Sequence, residues 1–253
     1  MKKLIITSVS VVTLLSFIVG CKENPNSNEA TNNSHIPIVE QKTTPSITPS
    51  TSISPGTDKE ALEVGNINSI IPAGWHILEL IKGEPVIAEG DLNKDSIPDI
   101  ATVIEKNVVD QTASPRSLLI AFGGKNDTYS ISIIADNVIL KADEGGVWGD
   151  PFDSLIIDRG SVLVSDYGGS NWRWYNKYRF RYQDNDWFLI GATMGSYFTG
   201  TTTIDKSDED DINLLTGEFI QRRTDEKGNT TTKKGNRGKK ELIRLQEFEL
   251  ENM

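Results

Sequence analysis

The chain has 253 residues and carries 36 Asp and Glu against 26 Lys and Arg, a formal net charge of −10. That balance argues against general nucleic-acid binding, which rests on Lys and Arg neutralising phosphates. One cysteine excludes an intrachain disulfide framework and any multi-thiolate zinc or iron–sulfur centre, and two histidines leave little for His-based metal or triad chemistry.

Residues 1–20 read as an export signal. Lys2 and Lys3 form a positive start, and an apolar stretch over 4–19 follows, diluted by Thr7, Ser8, Ser10, Thr13 and Ser16. At roughly 16 residues the stretch is shorter than the ~20 that a membrane-spanning helix needs. It ends in Ile18-Val19-Gly20-Cys21. Removal of the signal leaves 36 acids against 24 bases, a net of −12. Residues 22–60 are rich in Asn, Ser, Thr and Pro, hold half of the prolines and contain no aromatic residue. Such a segment buries too little apolar surface to offset its ordering entropy and is expected to be a disordered tether. As a coil of ~5–6 Å × √n it spans about 35 Å.

Residues 61–253 are expected to form a single β-rich domain, a mainly antiparallel meander of hairpins with little helix. Strands are predicted over 97–105, 117–122, 129–135, 155–157, 162–165, 172–182, 187–191, 218–224 and 242–250, the last two joined by a polar loop. Asp158-Arg159-Gly160-Ser161 reads as a tight hairpin turn. The strand over 172–182 alternates: Trp172, Trp174, Tyr178, Phe180 and Tyr182 share one parity, interrupted only by Asn176, and Arg173, Tyr175, Lys177, Arg179 and Arg181 the other. Helix is hinted only over 58–64 and 75–81, kept short by Pro72-Ala73-Gly74. No internal repeat of 20–50 residues is visible.

The segment Gly90-Asp91-Leu92-Asn93-Lys94-Asp95-Ser96-Ile97-Pro98-Asp99 spaces its acceptors as D-x-N-x-D-x-x-x-D. A hard cation such as Ca²⁺ takes six or more oxygens, and a tight loop turns alternate side chains toward one centre. Asp91, Asn93 and Asp95 would offer side-chain oxygens, Ile97 its backbone carbonyl, and Asp99 a carboxylate directly or through water. The all-oxygen, largely anionic set disfavours softer metals. A full EF-hand does not fit: Ser96 stands where glycine would ease the turn, Thr102 cannot supply the closing bidentate carboxylate, and the flanks read as strands. The alternative is an Asx-rich surface turn whose side chains cap their own backbone.

Two resemblances follow from these residues. Ile18-Val19-Gly20-Cys21 resembles the lipobox of bacterial lipoproteins, which implies a diacylglycerol thioether on Cys21, a mature chain that begins there, and attachment to the outer face of the cell membrane through acyl chains. The loop over 91–99 resembles the calcium loop of FG-GAP or VCBS-type repeats, with Asp91, Asn93, Asp95 and Asp99 on the ligand positions and Gly90 just before them. Phe122-Gly123-Gly124 echoes that family's glycine pair. The motif occurs once, so it implies no complete propeller.

Other constellations stand beside this loop. Carboxylates near Asp150 and Asp153 would suit a surface glycan hydrolase, and Trp148, Trp172 and Trp174 a glycan- or wall-polymer-binding platform. The acid-rich run over 205–211 reads as a solvated loop, and His76 has no nucleophile motif beside it. The stretch over 222–244 holds nine basic residues and three acidic ones; it reads as a polar hairpin loop kept soluble by its charges, with contact to anionic lipid or wall polymers as the alternative. The leading expectation is a non-enzymatic, lipid-anchored extracytoplasmic protein with one structural calcium ion.

Overall fold

The computed structural model describes residues 67–108 and 113–250. The readings placed on the export signal, on Cys21, on the tether and on the helix hint over 58–64 lie outside the described residues.

Antiparallel sheet dominates. One sheet is built on β5 (Asp99–Lys106), β6 (Arg116–Gly123) and β7 (Tyr129–Ala135), with β1 (Trp75–Ile77) and β4 (Ile87–Gly90) sharing the other side of β5. β2 (Glu79–Ile81) and β3 (Glu84–Pro85) make a small separate ribbon. The second sheet is a seven-stranded meander in simple chain order: β8 (Phe152–Asp158), β9 (Ser161–Gly169), β10 (Trp172–Gln183), β11 (Asp186–Phe198), β12 (Asp208–Asn213), β13 (Glu218–Thr224) and β14 (Thr230–Asn236). Its hairpins are tight for a local reason. Arg159 and Gly160 have φ of 52° and 64°, and Asp184 and Asn185 have 52° and 61°. Two successive residues with positive φ match the right-handed twist of the flanking strands.

The core lies between the two sheets. β5 is buried on both faces, so it reads as a continuous apolar run rather than an alternating one. Ala101 and Val103 pack with Leu118 and Ile120 against Val162, Val164, Tyr178, Phe180, Trp187 and Leu189 of the meander. Ile100, Ile104, Leu119 and Ala121 face the other way and are covered by Ile67, Ile70, Ile71 and Trp75. β14 carries almost no buried side chain, so the far end of the meander extends past this core.

The stripe on β10 divides along its length. Tyr178 and Phe180 are buried and meet Phe248 edge-on at 4.9 and 5.3 Å, and Tyr182 packs against Phe122 and Trp187. Trp172, at the strand's start, is 64% exposed and meets Phe198 at a tilt, 5.3 Å between ring centres.

Three expectations are corrected. Residues 75–81 are not helical: Gly74 turns the chain at φ 83°, and Trp75–Ile77 pairs with the second half of β5. Residues 242–250 are not a strand. A single bridge joins Phe188 to Arg244, then a 3-10 turn over Leu245–Glu247 sends Leu245 and Phe248 into the core at a spacing of three, with no strand partner alongside. The acid-rich run over 205–211 is only briefly a loop. It becomes β12, because Arg222 and Arg223 of β13 sit opposite and neutralise Glu209 and Asp210. The polar stretch after β13 likewise contains β14, so the partner of β13 is 230–236 rather than 242–250.

Candidate functional site

The loop over 91–99 joins β4 to β5, the strand–loop–strand setting expected of it. Lys94 and Ser96 both adopt left-handed backbone, φ 69° and 68°, which winds the chain tightly enough to bring alternate side chains inward. Asp91 accepts from the amides of Lys94 and Ser96 at 2.7 and 3.2 Å. Asn93 accepts from the Asp95 amide at 2.9 Å and donates to Asp95 Oδ2 at 2.9 Å, and Asp95 Oδ1 accepts from the Ile97 amide at 2.8 Å. Asp91, Asn93 and Asp95 thus serve one compact set of Asx turns.

Asp99 is different. Its side chain is fully buried and accepts from three backbone amides: Leu92 at 2.7 Å, Asn93 at 3.2 Å and Gly123 at 2.8 Å. Burial pushes the carboxyl above the usual aspartate range against the pull of those amides. Asp99 therefore ties the loop's entry to its exit and both to the end of β6. Two glycines make this docking sterically feasible. A Cβ on Gly90 would lie 2.6 Å from Ile157, and one on Gly123 would lie 2.0 Å from the Pro98 carbonyl oxygen. The glycine of Phe122-Gly123-Gly124 is thus a close-approach point for the loop. Leu92, also buried, anchors the loop from within.

The donor chemistry suits a hard cation, being all oxygen and largely anionic. Each ionised carboxylate has about four lone-pair positions, so the single hydrogen bonds at each oxygen of Asp91 and Asp95 leave acceptor capacity. Among the described residues, no three His, Cys, Asp or Glu side chains are gathered closely enough to hold a metal ion as they stand. A bound cation would draw Asp91, Asn93 and Asp95 together over the frame that Asp99 holds.

The other candidates separate. Asp150 is committed to structure: its carboxylate takes both forks of buried Arg116 at 2.7 Å, and Arg116 also bonds Glu105 at 2.7 Å. Burial opposes ionisation of Asp150, but the Arg116 fork and the Phe152 amide overcome it and hold the carboxyl below the usual range. Asp153 is exposed at a bulge of β8. The three tryptophans do not form one platform. Trp148 meets Tyr167 edge-on at 4.8 Å and lies under Arg173 at 4.7 Å, whereas Trp172 points to the opposite side of β10 from Arg173. Trp174 lies close over Gly168. His76 bonds Asn107 at 2.7 Å on the exposed edge of β1.

Sequence reasoning missed two features of the meander. On its outer face the Tyr175 ring lies across Gly195, where a Cβ would be 2.1 Å from the ring, and its hydroxyl reaches Ser207 at 2.7 Å and Glu209 at 2.5 Å. Arg222 completes this network through Ser207 at 3.0 Å and Glu209 at 3.3 Å. The only sequence signal was Tyr175 standing on the cationic parity of β10. On the inner face, Asp166 is 1% exposed and neither carboxyl oxygen has a hydrogen-bond partner. Burial, reinforced by Asp153 and Asp150, pushes its pKa up to about 7. The position was legible as the core parity of Val162 and Val164.

No protein-family model matches the chain, and comparison with curated proteins and with solved structures gives no match.

Proposed function

We propose that this protein is a non-enzymatic lipoprotein, held at the extracytoplasmic face of a bacterial membrane by lipid on Cys21, whose β domain is stabilised by one calcium ion in an FG-GAP-like loop over 91–99. The observation that carries the anchoring is the ordered run Lys2-Lys3, apolar stretch, Ile18-Val19-Gly20-Cys21. Acyl chains contribute ~0.8 kcal/mol per buried CH₂, so two or three of them anchor durably without a spanning helix. The calcium reading is supported by the left-handed turns at Lys94 and Ser96, which wind Asp91, Asn93 and Asp95 into one cluster of hard oxygen donors. In this reading Asp99 and Gly123 supply the frame, and the ion links β4 to β5 rather than taking part in chemistry. The engagement of Asp150 with Arg116 supports a non-catalytic role for the loop that a hydrolase would have used.

The anchoring is tested by labelling with radioactive fatty acid in the bacterial host. Wild type should incorporate label, whereas Cys21→Ala should not and should accumulate as unprocessed or soluble protein. Equal labelling of both would refute the anchor.

The calcium site has its own expected magnitude. Extracellular calcium modules often bind at ~10⁻⁴–10⁻³ M. With 1 mM calcium and a Kd near 0.1 mM, linkage stabilises the native state by about 1.4 kcal/mol. Thermal unfolding should then shift upward by roughly 3–6 °C relative to chelator, with less effect from magnesium, which demands a tighter octahedron. Asp91→Ala should remove the shift and Lys94→Ala should keep it.

A further inference from the structure

The outer face of the meander holds a cleft of about 320 Å³ with a floor and two polar walls. Tyr167 and Lys177 of β9 and β10 lie along the floor, Glu209 and Arg222 of β12 and β13 form one wall, Asp153 of the β8 bulge the other, and Ile204 the rim. Its size is at the lower end of the range for small-ligand sites. Larger clefts lie beside Leu250 and Asn68 at the ends of the described segment, and two slightly larger ones lie on the meander, beside Met194 and Arg223 and beside Arg179 and Asn213.

This cleft is more ordered than a chance depression. Buried Tyr175 and Ser207 stand behind Glu209 and Arg222 and fix both, so that the carboxylate and the guanidinium present themselves about a quarter exposed, at 24% and 28%. Burial, followed by the bond to Glu209, pushes the Tyr175 phenol up, so it stays a donor and Glu209 stays the acceptor. The Tyr167 ring is set from two sides, through its hydroxyl to Tyr197 at 2.7 Å and edge-on by Trp148 at 4.8 Å. Across from Arg222, the exposed amine of Lys177 makes no hydrogen bond or ion pair among the described residues.

The charges restrict what can enter. Asp153, Asp205 and Glu209 repel an anion, while Lys177 and Arg222 repel a cation, so both signs line the cleft. A ligand dense in donors and acceptors but without net charge can bond carboxylates and cations alike. An aromatic ring on the floor and an isoleucine on the rim add flat apolar contact. A pyranose ring has both properties: hydroxyls around its edge and a C–H face. We propose that this outer-face cleft binds a neutral saccharide, with Tyr167 as the stacking ring and Lys177 and Glu209 as the hydroxyl partners. The platform of Trp148, Trp172 and Trp174 expected from sequence is not this site; Trp148 contributes only by bracing Tyr167.

The test is saturation-transfer NMR and calorimetric titration on the full chain, with cellotetraose, xylotetraose, maltotetraose and chitotetraose as probes. At least one should receive transfer and bind. Tyr167→Ala should weaken that binding about tenfold, the size expected for losing one aromatic contact, and Lys177→Met should weaken it also. Trp172→Ala, on the opposite face, should leave it unchanged. A folded wild type that binds none of the four overturns the proposal, as does binding that Tyr167→Ala leaves intact or that Trp172→Ala removes. The outcome is independent of the calcium loop, which lies on other strands.

Discussion

Replacing Asp99 with alanine is expected to destabilise the domain by about 3–5 kcal/mol, even without calcium. The carboxylate accepts from the amides of Leu92, Asn93 and Gly123, and a buried amide left without a partner costs ~1–3 kcal/mol. Three are exposed to that loss together, and the loop over 91–98 would also lose its tie to β6. Asp99→Asn should cost less, since one oxygen can still accept, but its NH₂ group must then face an amide N–H. Asp91→Ala should cost under about 1 kcal/mol in chelator, because its bonds lie at the surface. Urea unfolding of the three variants gives the comparison. Similar losses for Asp91→Ala and Asp99→Ala would refute the division between a buried frame and an exposed donor cluster.

Asp166 sets the second large effect, and it depends on pH. Its pKa of about 7 in the folded protein stands well above the ~3.9 of an unfolded aspartate. Between those values the native state holds a proton that the unfolded state releases, so stability falls as pH rises through the window. Three units correspond to about 4 kcal/mol, fully present near pH 4 and lost by pH 7–8. The charges facing Asp166 do not rescue it: Asp153 and Asp150 are both acidic, Asp150 is already engaged by Arg116, and Tyr178 is a neutral phenol. Asp166→Asn should therefore match wild type near pH 4.5 and exceed it increasingly toward pH 8. Parallel stability–pH curves for the two proteins would show that Asp166 finds a partner when ionised.

Much of the fold was legible because local pattern and tertiary setting agree. The strands read over 129–135 and 218–224 coincide with β7 and β13 to the residue. The hairpin at Arg159-Gly160 was read from turn chemistry alone. Prediction failed where a pairing partner decides the outcome. Asp208–Asn213 has the composition of a loop, and it extends only because β11 offers a ladder on one side and β13 offers arginines on the other. Residues 242–250 read as a strand, whereas Leu245 and Phe248 take a turn set by the gap they fill beside Tyr178 and Phe180.

The candidate site divided in the same way. The residues of the acidic loop, and the strand–loop–strand setting, were visible in the spacing. The separate task of Asp99 was not, because its third amide comes from Gly123 on the next strand, 24 residues away. The cleft on the outer face was invisible for a stronger reason: Tyr175, the pair Ser207 and Glu209, and Arg222 come from three separate segments.

Calorimetric titration of calcium into the full chain, previously stripped with chelator, tests the central claim most directly. Wild type should bind one ion per chain with a Kd of ~10⁻⁴–10⁻³ M, and Asp95→Ala should show no binding while unfolding cooperatively in urea. Absence of calcium binding by the wild type, or equal binding by Asp95→Ala, would contradict the assignment and leave the loop as a self-capped turn.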